Sequence, residues 1–168
     1  MTEILSSNYI RTARLLLRRP TKEDDLILED LWRSENVRKF LGGVISEEMI
    51  KQRILTLQEH WNTYEFGQYA VFEIASDQIV GLCGLHHSDD GIEISYMFFS
   101  ASWGIGYATE AVIENIHHGL SQLNLGKIIA ITQEANSSSC RLLERVGMQH
   151  VNTIERFGAL QRIYSIEK

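Results

Sequence analysis

The sequence predicts an α/β fold: one central mixed β-sheet with helices on both faces. Three observations predict it. Short β-rich segments separated by turn residues fill the stretch from Tyr69 to Phe99. An amphipathic stretch from Tyr107 to Leu123 follows and leads into a continuous apolar run, Lys127 to Gln133. Two helix-period stretches precede this whole region. Consecutive hairpin strands pair antiparallel, whereas a strand–helix–strand unit needs a right-handed crossover and a parallel pair. The sheet must therefore contain both kinds of ladder.

In chain order, Arg14-Leu15-Leu16-Leu17-Arg18 is the first strand. Thr21 after Pro20 is a cap for a helix over Lys22 to Arg33, with acidic residues in its first turn and Leu28, Leu31 and Trp32 on one face. Gly42-Gly43 breaks the chain. Ser46 caps a second helix carrying Ile50, Ile54, Leu57 and Trp61. Tyr69 to Ala75, Ile79 to Leu85 and Ile92 to Phe99 form a three-strand meander, with turns at Ser76-Asp77-Gln78 and Ser88-Asp89-Asp90-Gly91. The helix from Tyr107 ends before Gly126. Lys127 to Gln133 is a strand of the buried kind. Asn136 or Ser137 opens a short helix that Gly147 closes, and His150 to Glu155 and Arg162 to Ile166 are the last strands. No linker or repeat divides the chain, so residues 1–168 are read as a single domain.

Composition narrows the function classes. The chain is 44% hydrophobic and 23% charged, an ordinary globular balance. Its two cysteines, Cys83 and Cys140, suit free thiols in a reducing, cytoplasmic setting. The formal charge of −6 argues against a nucleic-acid partner gripped through phosphates. No apolar run is long enough to span a bilayer, so no membrane partner is expected. His86-His87 with Asp89-Asp90 has no common metal-ligand spacing, and no metal is expected.

The most informative stretch joins the third meander strand to the longest helix: Ser102-Trp103-Gly104-Ile105-Gly106-Tyr107-Ala108-Thr109-Glu110-Ala111. Glycines permit positive φ and close approach, and the first helical turn presents unpaired N–H groups with a partial positive charge. A strand, a Gly-x-Gly turn and a helix N-terminus make a seat for a phosphate; the alternative is a tight turn without a ligand. A nicotinamide fingerprint is disfavoured because Thr109 stands at the third glycine position. No Lys-Ser/Thr pair follows for a nucleoside triphosphate loop.

These residues resemble the GNAT superfamily of acyl-CoA-dependent N-acetyltransferases, over nearly the whole chain. Gly104-Ile105-Gly106-Tyr107-Ala108 matches its pyrophosphate loop. Glu93-Ile94-Ser95-Tyr96-Met97, Trp103-Gly104 and Thr109-Glu110-Ala111 look like its ribosomal-protein acetyltransferase branch, RimJ/RimL-like. Asn136-Ser137-Ser138-Ser139 with Leu143-Glu144-Arg145-Val146-Gly147-Met148 looks like the second cofactor motif, and Arg14 to Arg18 like the branch's opening strand. Two departures stand out. Ala101 occupies a position where the superfamily usually has Gln or Arg, and Met148 replaces a usual Phe.

The resemblance implies a GNAT-like acyltransferase fold with acetyl-CoA as cosubstrate, and an amine acceptor that is either a protein N-terminus or a small molecule. The enzyme would be a monomer or homodimer. The cofactor arm would enter between the Ile92–Phe99 and Lys127–Gln133 strands, against backbone groups of Phe98 and Phe99. The amides of Gly104, Ile105, Gly106, Tyr107, Ala108 and Thr109 would hold its pyrophosphate, with Asn136 as a further contact or only a helix cap. The reaction would be direct attack of the amine in a ternary complex. Strand alternation puts Glu93 on the opposite face from Ile94, Tyr96 and Phe98. Glu93 is the candidate base or a surface carboxylate, and a tight Ser88–Gly91 turn puts His86 opposite it as orienting group or alternative base. Ser139 matches a proposed sulfur-protonating serine, or serves its helix's first turn. The neighbouring Cys140 lacks an evident base partner for acyl-cysteine chemistry. A CoA-binding sensor without turnover is the alternative on the same fold.

Overall fold

The computed structural model describes residues 9–168. Its eight strands form one sheet in the order β1-β2-β3-β4-β5-β6-β8-β7. They are Tyr9–Arg11 (β1), Leu15–Arg18 (β2), Gln68–Glu73 (β3), Gln78–Ser88 (β4), Gly91–Phe98 (β5), Lys127–Gln133 (β6), Gln149–Arg156 (β7) and Ala159–Glu167 (β8). Every ladder is antiparallel except β5–β6, the pair joined through the long helix. The mixed sheet is therefore as expected. Five α-helices accompany it: Asp25–Arg33 (α1), Glu35–Arg38 (α2), Glu47–Tyr64 (α3), Tyr107–Ser121 (α4) and Ser137–Arg145 (α5).

Three features go beyond the sequence reading. Tyr9–Arg11 adds a short edge strand, and Glu35–Arg38 a one-turn helix capped by Ser34. The helix expected from Lys22 begins as a 3-10 turn over Lys22–Asp24. Asp24 explains that tight start. Its carboxylate accepts the Thr21 N–H at 2.8 Å and a forked pair of bonds from Arg18 at 2.8 and 3.1 Å. A buried carboxylate is tolerated when it is satisfied in this way.

Side-chain contacts assign the faces. On α4, Asn115 donates to the Cys83 sulfur at 3.5 Å, and Gly119 lies against Leu85 and Ile128. Cys83 and Leu85 pair across the ladder with Tyr96 and Ile94, so these four share the α4 face. Tyr96 also meets Ser139 of α5 on that side. The opposite face carries α1, α2 and α3. There Ile50, Ile54, Leu57 and Trp61 are buried, as the period of α3 predicts, and the α2 residue Arg38 reaches Met97. Gly84 permits a tight fit on this side: a Cβ there would stand 2.4 Å from the Gly67 carbonyl oxygen. No helix among the described residues is long and apolar enough to cross a membrane.

Candidate active site

The site begins where the sheet opens. β4 and β5 pair along their whole length, from Ser88↔Gly91 to Gly81↔Phe98. β5 and β6 register at a single pair, Glu93↔Ile129. Beyond that pair, no further register joins the two parallel strands among the described residues. Backbone alternation then decides which groups face the gap. Phe99 donates its N–H to the Val80 carbonyl at 2.9 Å, which directs the backbone groups of residues 93, 95, 97 and 99 toward β4. Those of Tyr96 and Phe98 point the other way, into the opening.

This corrects one expectation. Phe98 faces the gap, but Phe99 has no free backbone group to offer a ligand there. Its amide belongs to the β4 ladder, and its carbonyl accepts the Ser102 N–H at 2.8 Å. The residue missed from the sequence is Tyr96, two positions earlier on the same edge. Trp103 bonds its indole N–H to the Phe98 carbonyl at 2.8 Å, which fastens the start of the glycine loop to the end of β5.

The loop itself has the backbone that its glycines suggest. Gly104 and Gly106 have φ of 79° and 87°, and Gly106 caps α4 in the left-handed region. Its carbonyl accepts the N–H of Glu110, so α4 starts there. No side chain caps this terminus. The N–H groups of Tyr107, Ala108 and Thr109 occupy the first turn, where a helix has no internal acceptor. Open space surrounds the position a Cβ on Gly104 would take. These amides, the glycine cradle and the dipole fit a phosphate in chemistry and in access.

Arg14 and Glu110 brace the loop. Arg14 donates through Nε to Glu110 Oε1 at 2.9 Å and through Nη1 to the Ile105 carbonyl at 2.7 Å. Its backbone N–H and the Thr12 hydroxyl both donate to Glu110 Oε2. Burial pushes the Glu110 carboxyl up, yet the bonds from Thr12 and Arg14 outweigh it and leave the pKa below the ordinary value. Glu110 is thus a tie between α4 and the β1–β2 edge.

Glu93 lies at the last residue pair before the opening, on the α1–α3 face. Burial pushes its carboxyl up to about 7, against the opposing hydrogen bond from Ser88. Nearby, Asp90 accepts from Arg156 at 3.0 Å. His86 does pair with Glu93 in the ladder, as the turn predicts. Its ring bonds elsewhere, however. Nε2 is 2.7 Å from the Ser95 hydroxyl and Nδ1 is 3.3 Å from the His87 carbonyl. A carbonyl only accepts, so Nδ1 carries the proton, and Nε2 accepts from Ser95. Burial lowers the His86 pKa, which favours this neutral ring. His86 therefore orients Ser95, not the carboxylate. On the same side Tyr64 stacks on His87 with ring centroids 3.9 Å apart, whereas Trp32 and Trp61 are core.

Ser139 lies on the opposite face, in the first turn of α5. Asn136 caps that helix by accepting the Ser139 N–H at 3.3 Å. The Ser139 hydroxyl is 2.5 Å from the Tyr96 hydroxyl. That bond spans the open side of β5 and ties α5 to it. Burial raises the Tyr96 pKa, so its hydroxyl keeps its proton at neutral pH. Cys140 is buried, 3.9 and 4.0 Å from the carbonyls of Gln133 and Glu134 and beside the Tyr164 hydroxyl, with no His, Asp or Glu side chain bonded to it among the described residues. Glu93 and Ser139 thus flank one opening from opposite faces of the sheet.

Comparison with known proteins places the fold. Residues 14–149 match the model of the acetyltransferase (GNAT) domain, and the chain belongs to that family of acetyltransferases. An uncharacterized N-acetyltransferase, p20, of Bacillus licheniformis is 28% identical over 143 residues, covering 82% of this chain and 80% of the relative. The fold matches a spermidine N-acetyltransferase from Vibrio cholerae in complex with CoA and spermine. The TM-score is 0.80 at 17% identity, over 93% of this chain and 96% of that one. It also matches the ribosomal L7/L12 α-N-protein acetyltransferase RimL in complex with coenzyme A. There the TM-score is 0.79 at 14% identity, over 95% and 97% of the two chains.

Proposed function

We propose that this protein transfers the acetyl group of acetyl-CoA to a primary amine by direct attack in a ternary complex. The observation that carries the reading is the opening of the sheet at Glu93, with a carboxylate on one face and an anion-binding helix terminus on the other. Acetyl-CoA supplies an activated acyl carbon and an anionic tail. The amides of residues 104–109 hold the tail. The backbone groups of Tyr96 and the N–H of Phe98 offer the arm hydrogen bonds that a further strand would take.

Glu93 accepts the proton that the amine must lose, directly or through water. A carboxyl with a pKa near 7 is well matched to that task, because it is both ionised and basic near neutrality. Ser139 donates a proton toward the leaving sulfur, and Tyr96 holds its hydroxyl in place. A thiol leaves readily from a thioester, since its pKa is about 8.5, so the donor contributes less than the base. Asn136 acts as the cap that fixes Ser139.

The acceptor is a protein N-terminal α-amine or a small-molecule amine; fold neighbours include a protein acetyltransferase and a spermidine acetyltransferase. The charge of −6 favours amines over nucleic acid. Free Cys83 and Cys140 fit a cytoplasmic setting. The test is calorimetry with acetyl-CoA, then thiol release over a panel of peptides and polyamines. Binding with amine-dependent thiol release supports the reading. Binding without release by any amine would leave the sensor alternative, and absence of binding would remove both.

A further inference from the structure

We propose that Arg14 is a direct ligand of the cofactor's phosphates, supplied to the loop from a different strand. The proposal rests on the reading of the loop as a CoA site. It starts from how the guanidinium is used. A typical arginine–carboxylate pair is a two-pronged fork. Here Glu110 takes Nε at one oxygen and the Arg14 backbone N–H at the other. That leaves the Nη edge turned to the loop.

Nη1 holds the Ile105 carbonyl at 2.7 Å. Nη2 has no hydrogen-bond partner among the described residues, and it stands 3.2 Å from where a Cβ on Gly106 would be. The group is not buried: the Arg14 side chain is 45% exposed. Its plane lies over the Tyr107 ring, 4.6 Å from the centroid, which fixes its direction beside the first turn of α4. A charged donor with open valences is thus pinned against the glycine that caps the phosphate seat.

Two further points converge on it. Ala101, Gly104, Ile105 and Gly106 carry no side-chain hydrogen-bond donor, so these loop positions offer an anion only backbone N–H groups. Glu110, in the first turn of α4, places a negative charge close to the seat. Arg14 offsets that charge and adds a donor, so an anion meets a cation at the helix mouth. Two bonds, one to Glu110 and one to Ile105, hold the guanidinium in advance, and pre-ordered groups lose less entropy on binding.

The test is calorimetric titration of CoA into the wild type, Arg14→Gln and Arg14→Lys, each at low and high salt, with the melting temperature of each free protein as a fold control. Arg14→Gln should weaken CoA roughly tenfold at low salt and flatten the salt dependence of Kd, because a screened charge contact is gone. Arg14→Lys should bind with intermediate affinity and keep the salt dependence, since it retains the charge but not the fork. In turnover, KM for acetyl-CoA should rise with kcat little changed. Equal affinity in Arg14→Gln overturns the proposal. So does weaker affinity with an unchanged salt dependence, which would make Arg14 a brace for Ile105 only. A wild type that binds no CoA overturns it together with the functional reading.

Discussion

In the proposed mechanism Glu93 carries the chemistry at the scale of single residues, and its environment sets a pH dependence. Its carboxyl titrates near 7 because it is partly withdrawn from water at the edge of the opening. The base must be ionised, so activity on an α-amine should rise with pH through about 7. Glu93→Gln should abolish that limb and lower kcat/KM by roughly 10²-fold or more where the amine is still protonated. A pH–rate profile that keeps its limb near 7 in the variant would assign the titration to another group. The same shift has a cost in stability. The folded-state pKa is above the unfolded value, so the folded protein holds the proton between the two. Stability is full below the unfolded pKa and falls as pH rises toward 7. Glu93→Gln should therefore melt higher than the wild type at pH 8, by on the order of 1 kcal/mol after allowance for partial exposure. At pH 4 the difference should vanish. On the other face, Ser139→Ala should slow turnover about tenfold or less, since the sulfur leaves readily. Tyr96→Phe should have the same effect if the tyrosine acts through Ser139, and the double variant should be no worse than either; additive losses would separate the two roles.

Elements fix where these groups stand, and the sequence revealed some of that more readily than the rest. Glu93 opposite His86 followed from the short Ser88–Gly91 turn, because a hairpin turn sets the register. The loop glycines and the Asn136 cap were legible because capping and positive φ are local rules. Phe99 failed for the opposite reason. Which edge of a strand a backbone group faces depends on the register with β4, and one position changes the answer. Tyr96 was missed for the same reason of register, and Arg14 and Arg38 because each acts through a long side chain on a distant element. Arg38 is buried, donates to the carbonyls of Leu41 and Gly43 and to the Met97 sulfur, and pairs with no carboxylate among the described residues. No periodicity reports such reach. Two substitutions test the element-level account. Asn136→Ala should cost about 1 kcal/mol of stability through the lost cap, and displace Ser139. Gly84→Ala should cost about 2 kcal/mol or more, because the Gly67 backbone blocks the added methyl. A melting temperature unchanged in Gly84→Ala would show that β3 and the α3–β3 turn yield more than this packing implies.

The whole molecule is a sheet unzipped along half of one ladder. β1–β5 form one antiparallel set, β6–β8 another, and Glu93↔Ile129 is the seam between them. A ligand that fills the seam bridges the two sets, so it should stabilise the fold as a unit. Acetyl-CoA at 100 times its Kd should add about 2.7 kcal/mol and raise the melting temperature by several degrees. NAD and ATP should not match it. A shift of equal size with either would mean that the helix terminus accepts phosphates generally and that the rest of the seam adds no selectivity.

In the proposed ternary complex the two reactants would enter the seam from opposite sides, so they would not compete for one surface. The helices bearing Arg38, Tyr64 and their neighbours can diverge to suit a new acceptor without retuning the acyl donor's berth on the far side. Grafting that layer from a relative should redirect which amine is chosen while affinity for the thioester stays put.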